Sequence, residues 1–427
     1  MKNKTPIWTF FKRTAAWVLL DQALVSGGNF LQGILLSRML GPEGFGWIAS
    51  AWLLILLIAA LHQAVIIQPM LSIGGKFSGP DLRAYLLKLD SVHLWGILPV
   101  LFTAGIIGWL LGRPINAGVA GLIFPGSAWA AGQMMQDFVR KKMAMEARWQ
   151  QMPLLDALVL ILQFSVLVWA YFAGWLTLTT AFWIIAGSLN AGWMAAIALG
   201  RMELKLPDRV AFSDIGRIHF SFGKWLAGTA VLQWFATQYL QLATVAFIGP
   251  VATGAVRIAQ SLVGLCSLMV QAMEAIIPLE AARAWAQGGW GALKIFLSKQ
   301  TLIWAIPISI ALLTLSLSAP WLLGSLYGEA YRPFAWLVPG MAGVYALSYL
   351  AQSMRWALRT LETVKPILVS YAFSTFFSLS AAQWMLQYLG LPGLVWALLI
   401  NQILLILVYV FVLIQINRRA DHTYNAG

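Results

Sequence analysis

The sequence has little charge, little cysteine and little histidine, and each scarcity excludes something. Only 10% of its 427 residues are charged, whereas a soluble domain carries about 25%. With 60% hydrophobic residues and a mean hydropathy of +0.77, the chain has too little polar surface to face water and reads as an integral membrane protein. Cys266 is its one cysteine, which excludes a disulfide framework and a multi-cysteine metal site. The four histidines, His62, His93, His219 and His422, are scattered, and no metal-binding or nucleophile-activating grouping is evident. A Gly-x-x-x-x-Gly-Lys-Ser/Thr loop is absent, so the chain is not expected to hydrolyse ATP. Acids number 15 against 28 bases, a net charge of +13. Nucleic-acid binding would need those bases on one soluble face. They recur instead in short clusters between apolar runs, as cytoplasmic loops do.

Apolar runs lie near 15–37, 46–68, 92–111, 116–137, 154–173, 180–200, 221–247, 254–276, 300–323, 334–354, 367–389 and 393–415. About 20 apolar residues cross a bilayer, so the pattern predicts about twelve transmembrane helices. The first run contains Asp21 and Asn29 and ends without an A-x-A pattern, which reads as an uncleaved first helix rather than a signal peptide. With the N-terminus inside, 24 of the 28 Lys and Arg residues fall on inner segments. Only Arg38, Arg113, Arg257 and Arg332 are left at the outer side. That asymmetry places both termini in the cytoplasm. Outer connections are short, and two inner segments, Asp81–Asp90 and Trp290–Lys299, read either as amphipathic interfacial helices or as solvated linkers.

An internal repeat organises the chain. Gly41-Pro-Glu-Gly-Phe-Gly46 matches Gly249-Pro-Val-Ala-Thr-Gly254 at an offset of 208. Gln63-Ala-Val-Ile-Ile-Gln-Pro69 matches Gln271-Ala-Met-Glu-Ala-Ile-Ile-Pro278, with the prolines 209 apart. Trp109-Leu-Leu-Gly112 matches Trp321-Leu-Leu-Gly324 at 212, and Pro153 matches Pro366 at 213. The slow drift is what small loop insertions cause. Two six-helix bundles are therefore expected, 1–206 and 207–427. Each holds an even number of spans, so they are parallel, related by a pseudo-twofold axis along the membrane normal around a central cavity. Transporters with repeated bundles bind substrate between them and work by rocking one against the other.

Leu36-Ser-Arg-Met-Leu-Gly-Pro-Glu-Gly-Phe-Gly46 resembles the signature that follows the first helix of polysaccharide repeat-unit (O-antigen type) flippases. These belong to the multidrug/oligosaccharidyl-lipid/polysaccharide exporter superfamily. Ile248-Gly-Pro-Val-Ala-Thr-Gly-Ala-Val-Arg-Ile-Ala259 is similar to the second-half signature, with Arg257 where an aromatic is more usual. The resemblance covers essentially the whole chain. It implies a cavity lined mainly by helices 1, 2, 7 and 8, in a bacterial inner membrane. The cargo it implies is a polyprenyl-pyrophosphate-linked oligosaccharide, flipped from inner to outer leaflet for cell-surface polysaccharide or exopolysaccharide assembly. The partners implied are that lipid-linked sugar, membrane lipids and other polysaccharide-assembly proteins, without nucleic acid.

The residues suit such a cavity. In the eighth span Arg257, Gln260, Gly264, Ser267, Gln271 and Glu274 recur at intervals of three and four, one helical stripe about 25 Å long. The seventh span carries Thr229, Gln233, Thr237 and Gln241, with Trp225 and Trp234 nearby. The first offers Asp21, Gly28 and Gln32 on one face, with Asn29 adjacent. The second is mostly apolar, so the hydrogen-bonding capacity is expected in the second half. Sugar hydroxyls suit glutamines, sugar rings suit tryptophan, and a pyrophosphate wants a cation, for which Arg257 and Arg38 are the candidates. Arg38 has the alternative of snorkelling to the interface. Asp21 is a coupling candidate for a proton or cation, or else pairs with a base such as Lys224. Glu274 is a second coupling candidate or an interfacial residue. No enzyme activity, metal or cofactor is expected. The competing readings are a cation- or proton-coupled drug exporter on the same fold, a membrane glycan polymerase or ligase, and a lipid II flippase. Proteins of that last kind typically carry two further helices beyond the position of Arg419.

Overall fold

A computed structural model describes residues 7–114, 116–206, 209–363 and 365–425. Lys2 and Lys4, counted above among the basic residues, lie outside the described residues, as does the start of the second sequence half at Pro207. Among the described residues the chain is all-helical, with no strand. Its helices are α1 (Ile7–His62), α2 (Gln68–Gly74), α3 (Gly79–Val92), α4 (Leu98–Gly112), α5 (Ala117–Met145), α6 (Gln151–Phe172) and α7 (Leu178–Ala198). They continue with α8 (Arg209–Thr237), α9 (Tyr239–Phe247), α10 (Pro250–Gly264), α11 (Ser267–Leu322), α12 (Leu337–Thr360) and α13 (Lys365–Asn425). Turns of π-helix, Gln63–Ile67 and His93–Ile97, link α1 to α2 and α3 to α4.

Among the described residues six helical stretches are long and apolar enough to cross a membrane. The longest exceed one crossing. The 56 residues of α1 would reach about 84 Å if straight, against a hydrocarbon core of about 30 Å. Glycine interrupts them. Gly41 has φ 70° within α1, Gly289 φ 59° within α11 and Gly390 φ 62° within α13. Only glycine adopts that region without strain. Pro42 follows Gly41 directly, as Pro250 follows Gly249 (φ 118°), and a proline in the first helical turn loses no intrahelical bond. Many large apolar side chains point outward, Phe172, Leu317 and Trp321 among them, as a lipid-facing surface requires.

The chain packs as two compact units. One is Met1–Leu40 with Leu54–Val231, the other Gly41–Leu53 with Leu232–Gly427. Relative to the halves divided at 206/207, each unit therefore takes a segment from the other. In the first unit α5 packs on α4 and α7, and α6 on α7, around a core that includes Ile67, Leu86, Leu89, Met135, Phe138 and Val139. In the second, α12 lies against α10, α11 and α13, and α9 against α13; its core includes Ala236, Ala351, Leu358, Leu405 and Tyr409. The two segments expected as interfacial helices or linkers are parts of longer helices. Asp81–Asp90 lies in α3 and runs through a π-turn towards α4, and Trp290–Lys299 begins the stretch of α11 after Gly289. Burial explains the first case, since Leu86 and Leu89 on α3 are core residues.

Candidate functional site

In the second unit α10 carries Arg257 on an otherwise apolar segment, where Val256, Ile258 and Ala259 are buried. The half-buried guanidinium lies over the Trp52 ring, 6.0 Å from its centroid, and interacts electrostatically with Tyr327. No carboxylate pairs with Arg257 among the described residues. A cation held over an indole face is stabilised by the ring quadrupole and keeps its N–H groups for an anion. Gly46 and Gly254 bring these elements together. A Cβ on Gly46 would sit 1.8 Å from the Pro250 carbonyl oxygen, and one on Gly254 3.2 Å from the Gly46 backbone. The closing glycines of the two repeated signatures therefore touch.

The polar stripe expected below Arg257 runs from α10 into α11. The helix is interrupted at Leu265 and Cys266, where backbone bonds run from i to i−3, and each such residue advances the face by about 20° more than an α-helical one. Gln260 and Ser267 are half-buried, and Gln271 is exposed, donating to Ser267 Oγ at 3.4 Å. Glu274 is exposed and engaged, accepting from Gln352 Nε2 and from Arg359 Nη1, both at 3.2 Å. On α8, Gln233 is exposed, whereas Trp234 is buried and donates to the Leu53 carbonyl at 3.0 Å. Gln241 on α9 is buried, its amide donating to the Thr237 carbonyl at 3.2 Å. In α1, Gln32 is half-buried and Arg38 exposed. Gly28 receives the Leu160 side chain, 2.5 Å from where a Cβ would stand.

The first unit holds a buried polar network of its own. Asp21 is buried and ion-paired with Arg140 of α5, not with Lys224, which lies over Trp225 at 5.8 Å. The same guanidinium has its Nε 2.9 Å from Asp156 Oδ2, an ion contact without hydrogen-bond alignment. Asp156 Oδ1 accepts from Gln136 Nε2 at 2.8 Å, and Asp21 Oδ1 is buried without a hydrogen bond. Gln63 donates to Asp137 Oδ2. One turn further along α5, Lys142 is buried against Asp90, 2.6 and 2.8 Å from its two oxygens, and Asp90 Oδ2 also accepts from the Glu203 backbone at 3.0 Å. Glu203 lies in the turn after α7. A hydrogen bond from Lys205 and the nearby Arg83 hold its carboxyl below the usual carboxylate range. Sequence reading missed this network because Arg140 and Lys142 count as loop charges when α5 is ended at 137. Gln136, Asp137 and Arg140 at helical spacing were the signal, together with Asp156 inside an apolar run. The histidines gather too. His62 and His93 touch, and His219 meets Tyr85 on α3.

No family model matches the sequence, and no curated protein sequence does so either. Solved structures share its fold. An inward-facing multidrug resistance MATE family transporter of the MOP superfamily is 15% identical, with a TM-score of 0.69 over 95% of this chain and 98% of that one. The lipid II flippase MurJ, in an inward closed conformation, is 11% identical, with a TM-score of 0.67 over 93% of this chain and 86% of that one. A MOP superfamily transporter from Pyrococcus furiosus, described by the reverse polarity of its binding pocket, is 14% identical at a TM-score of 0.53, covering 95% of each. The chain thus has the all-helical fold of MOP-superfamily transporters, on a multi-pass membrane protein.

Proposed function

We propose that this protein is a flippase for a polyprenyl-pyrophosphate-linked oligosaccharide, moving it from inner to outer leaflet by alternating access in the bacterial cytoplasmic membrane. In this reading twelve spans form two parallel bundles, 1–206 and 207–427, with both termini cytoplasmic. Arg257 carries the reading. A half-buried guanidinium on an apolar helix, with no carboxylate partner among the described residues and an indole beneath it, is a site for an anionic group beside a ring-stacking surface. Arg38 assists with charge. Gln260, Ser267, Gln271, Gln233 and Gln32 are the candidates for hydrogen bonds to sugar hydroxyls, while Trp234 and Gln241 are already engaged by Leu53 and Thr237. Asp21 and Glu274 remain coupling candidates within their ion pairs.

The test is reconstitution of the full chain in vesicles with a polyprenyl-pyrophosphate-linked oligosaccharide in one leaflet, read by its accessibility to an external glycosidase. Flipping above that of empty vesicles supports the reading; none, alongside extrusion of an organic cation such as ethidium, overturns it. That second reading, a cation-coupled drug exporter, draws on buried Asp21 and Asp156 and half-buried Asp137 in one unit, with Arg140 between the first two.

A further inference from the structure

His62 and His93 form a buried imidazole pair in the first unit. Their Nε2 atoms are 2.9 Å apart, and the rings meet edge to face, 5.2 Å between centroids at 85°. His93 stacks on Phe138 of α5, with centroids 3.6 Å apart. The proton positions follow by elimination. His93 Nδ1 lies 3.0 Å from the Leu89 carbonyl, which can only accept, so His93 Nδ1 donates there and its Nε2 is a bare acceptor. His62 Nε2 must then donate to His93 Nε2. That leaves His62 Nδ1 as a bare lone pair, buried and without a hydrogen bond. The pair accommodates one further proton, on His62 Nδ1, with both existing hydrogen bonds kept. A second would set two N–H groups head to head.

The pair sits where the backbone is unusual. His62 immediately precedes the π-turn Gln63–Ile67, and His93 opens the π-turn His93–Ile97; such turns are rare and cluster at functional sites. The first of them is the seat of α8. A Cβ on Gly223 would fall 2.8 Å from both the Ala64 carbonyl oxygen and Val65 Cα. His219, one turn earlier on α8, bonds the Tyr85 hydroxyl at 2.7 Å and lies against the Val65 backbone. This stretch of α8 belongs to the second repeat by sequence and to the first unit by packing. Because α8 runs on past Val231 into the second unit, it is one covalent path by which a change at the pair reaches the second repeat.

We propose that His62 and His93 form a one-proton site whose occupancy controls the seating of α8 on the π-turn, and that a proton is thereby the coupling ion of transport. The coupling role, though not the proton site, rests on the flippase reading. The charged and titratable groups around the pair come from each packed element: Lys142 of α5 and His219 of α8 act on His93, Asp90 of α3 pairs with Lys142 and Tyr85 of α3 bonds His219, and Asp137 of α5, flanked by Arg140 and Lys141, takes Gln63 next to His62. Asp90 and Asp137 already accept from Lys142 and Gln63. A proton added at His62 Nδ1 puts positive charge on a pair whose other ring, His93, already faces Lys142 and His219, and the added repulsion unseats α8. The two imidazoles are not a metal site, since no group of three or more His, Cys, Asp or Glu suited to a metal occurs among the described residues.

Two readouts test this on the full chain in phosphatidylethanolamine/phosphatidylglycerol vesicles without any transport substrate. The first is 15N-histidine solid-state NMR across about pH 4 to 8. It should show the His62 and His93 signals moving together with uptake of one proton per pair, and His93→Gln should abolish the joint transition. The second is the distance between spin labels at Ser213→Cys on α8 and Gln150→Cys in the exposed turn before α6. It should lengthen or broaden on acidification and stay fixed in His62→Gln and in His93→Gln. Two-proton or independent titration overturns the site. A pH-driven distance change that survives in either correctly folded variant overturns the link to α8. Should one variant not fold, the other and the wild-type NMR decide. A negative flipping assay bears on the flippase reading alone, because neither readout uses flipping.

Discussion

Gly46 and Gly254 occupy equivalent positions in the two repeated signatures, and their backbones are in contact. A methyl group at Gly46 would lie 1.8 Å from the Pro250 carbonyl oxygen, and backbone cannot move aside as the tip of a flexible side chain can. Gly46→Ala should therefore destabilise the second unit by at least the 1–3 kcal/mol typical of overpacking, roughly. Gly33→Ala in the same helix, where a Cβ meets nothing within 4 Å, should be neutral or slightly stabilising. Thermal unfolding of the purified protein in detergent separates the two, and equal midpoints would disprove the contact.

Arg140 is the single cation between Asp21 and Asp156. Removing it leaves two buried carboxylates facing each other, so Arg140→Ala should cost about 3–5 kcal/mol. Arg140→Lys should recover only part, since a compact ammonium lacks the planar guanidinium fork that reaches both acids at once. Asp156→Asn in the Arg140→Ala background should restore part of the loss. Unfolding midpoints of the three variants test the order.

The repeat was legible in sequence because its marks are conformational. Gly41 and Gly249 both take positive φ before a proline, and Pro153 and Pro366 both fall in the first turn of a helix, α6 and α13. Backbone requirements of that kind survive in residue type. Apolar length likewise announced a membrane protein. The polar network did not show, because ion pairs are made by side chains 119 and 52 residues apart, Asp21 with Arg140 and Asp90 with Lys142. No local period records such partners, and a charge near the end of an apolar run reads as a loop residue. His62 and His93, 31 residues apart, looked scattered for the same reason. The stripe from Arg257 to Glu274 crosses an interruption that the sequence did not show. Its spacing assumes an unbroken α-helix, and Val263-Gly264-Leu265-Cys266 gives no proline to mark the interruption that the structure places there.

Asp90 and Lys142 are buried as a pair, with the Glu203 backbone as a third partner. Lys142→Met strands the carboxylate and should cost about 3–5 kcal/mol, whereas Asp90→Leu with Lys142→Met exchanges the pair for apolar packing and should recover most of it. The double variant should still lose some stability through the Glu203 N–H, which would then lack its acceptor. A double-mutant cycle on unfolding midpoints measures the coupling; additive losses would show that the pair contributes nothing jointly.

Arg257 and Arg113 make a controlled comparison of two cations over tryptophan. Arg257 is half-buried with its charge 6.0 Å from the Trp52 centroid, and Arg113 is exposed at 5.3 Å from that of Trp109. Both lose a similar ring contact on replacement by alanine, so the difference between the variants isolates what the surroundings of Arg257 add. A buried hydrogen bond to a charged group contributes about 1.5–3 kcal/mol, which corresponds to a drop in flipping of roughly ten- to hundredfold for Arg257→Ala. Arg113→Ala should stay within about twofold of wild type, the effect expected of an exposed charge in high dielectric. Arg257→Lys sharpens the assignment. If the ligand is a pyrophosphate, lysine should retain part of the activity through charge while losing the paired N–H geometry. If Arg257 served only to pack on Trp52, lysine and alanine should fall equally short. Initial flipping rates of the reconstituted variants, normalised to inserted protein, separate these outcomes.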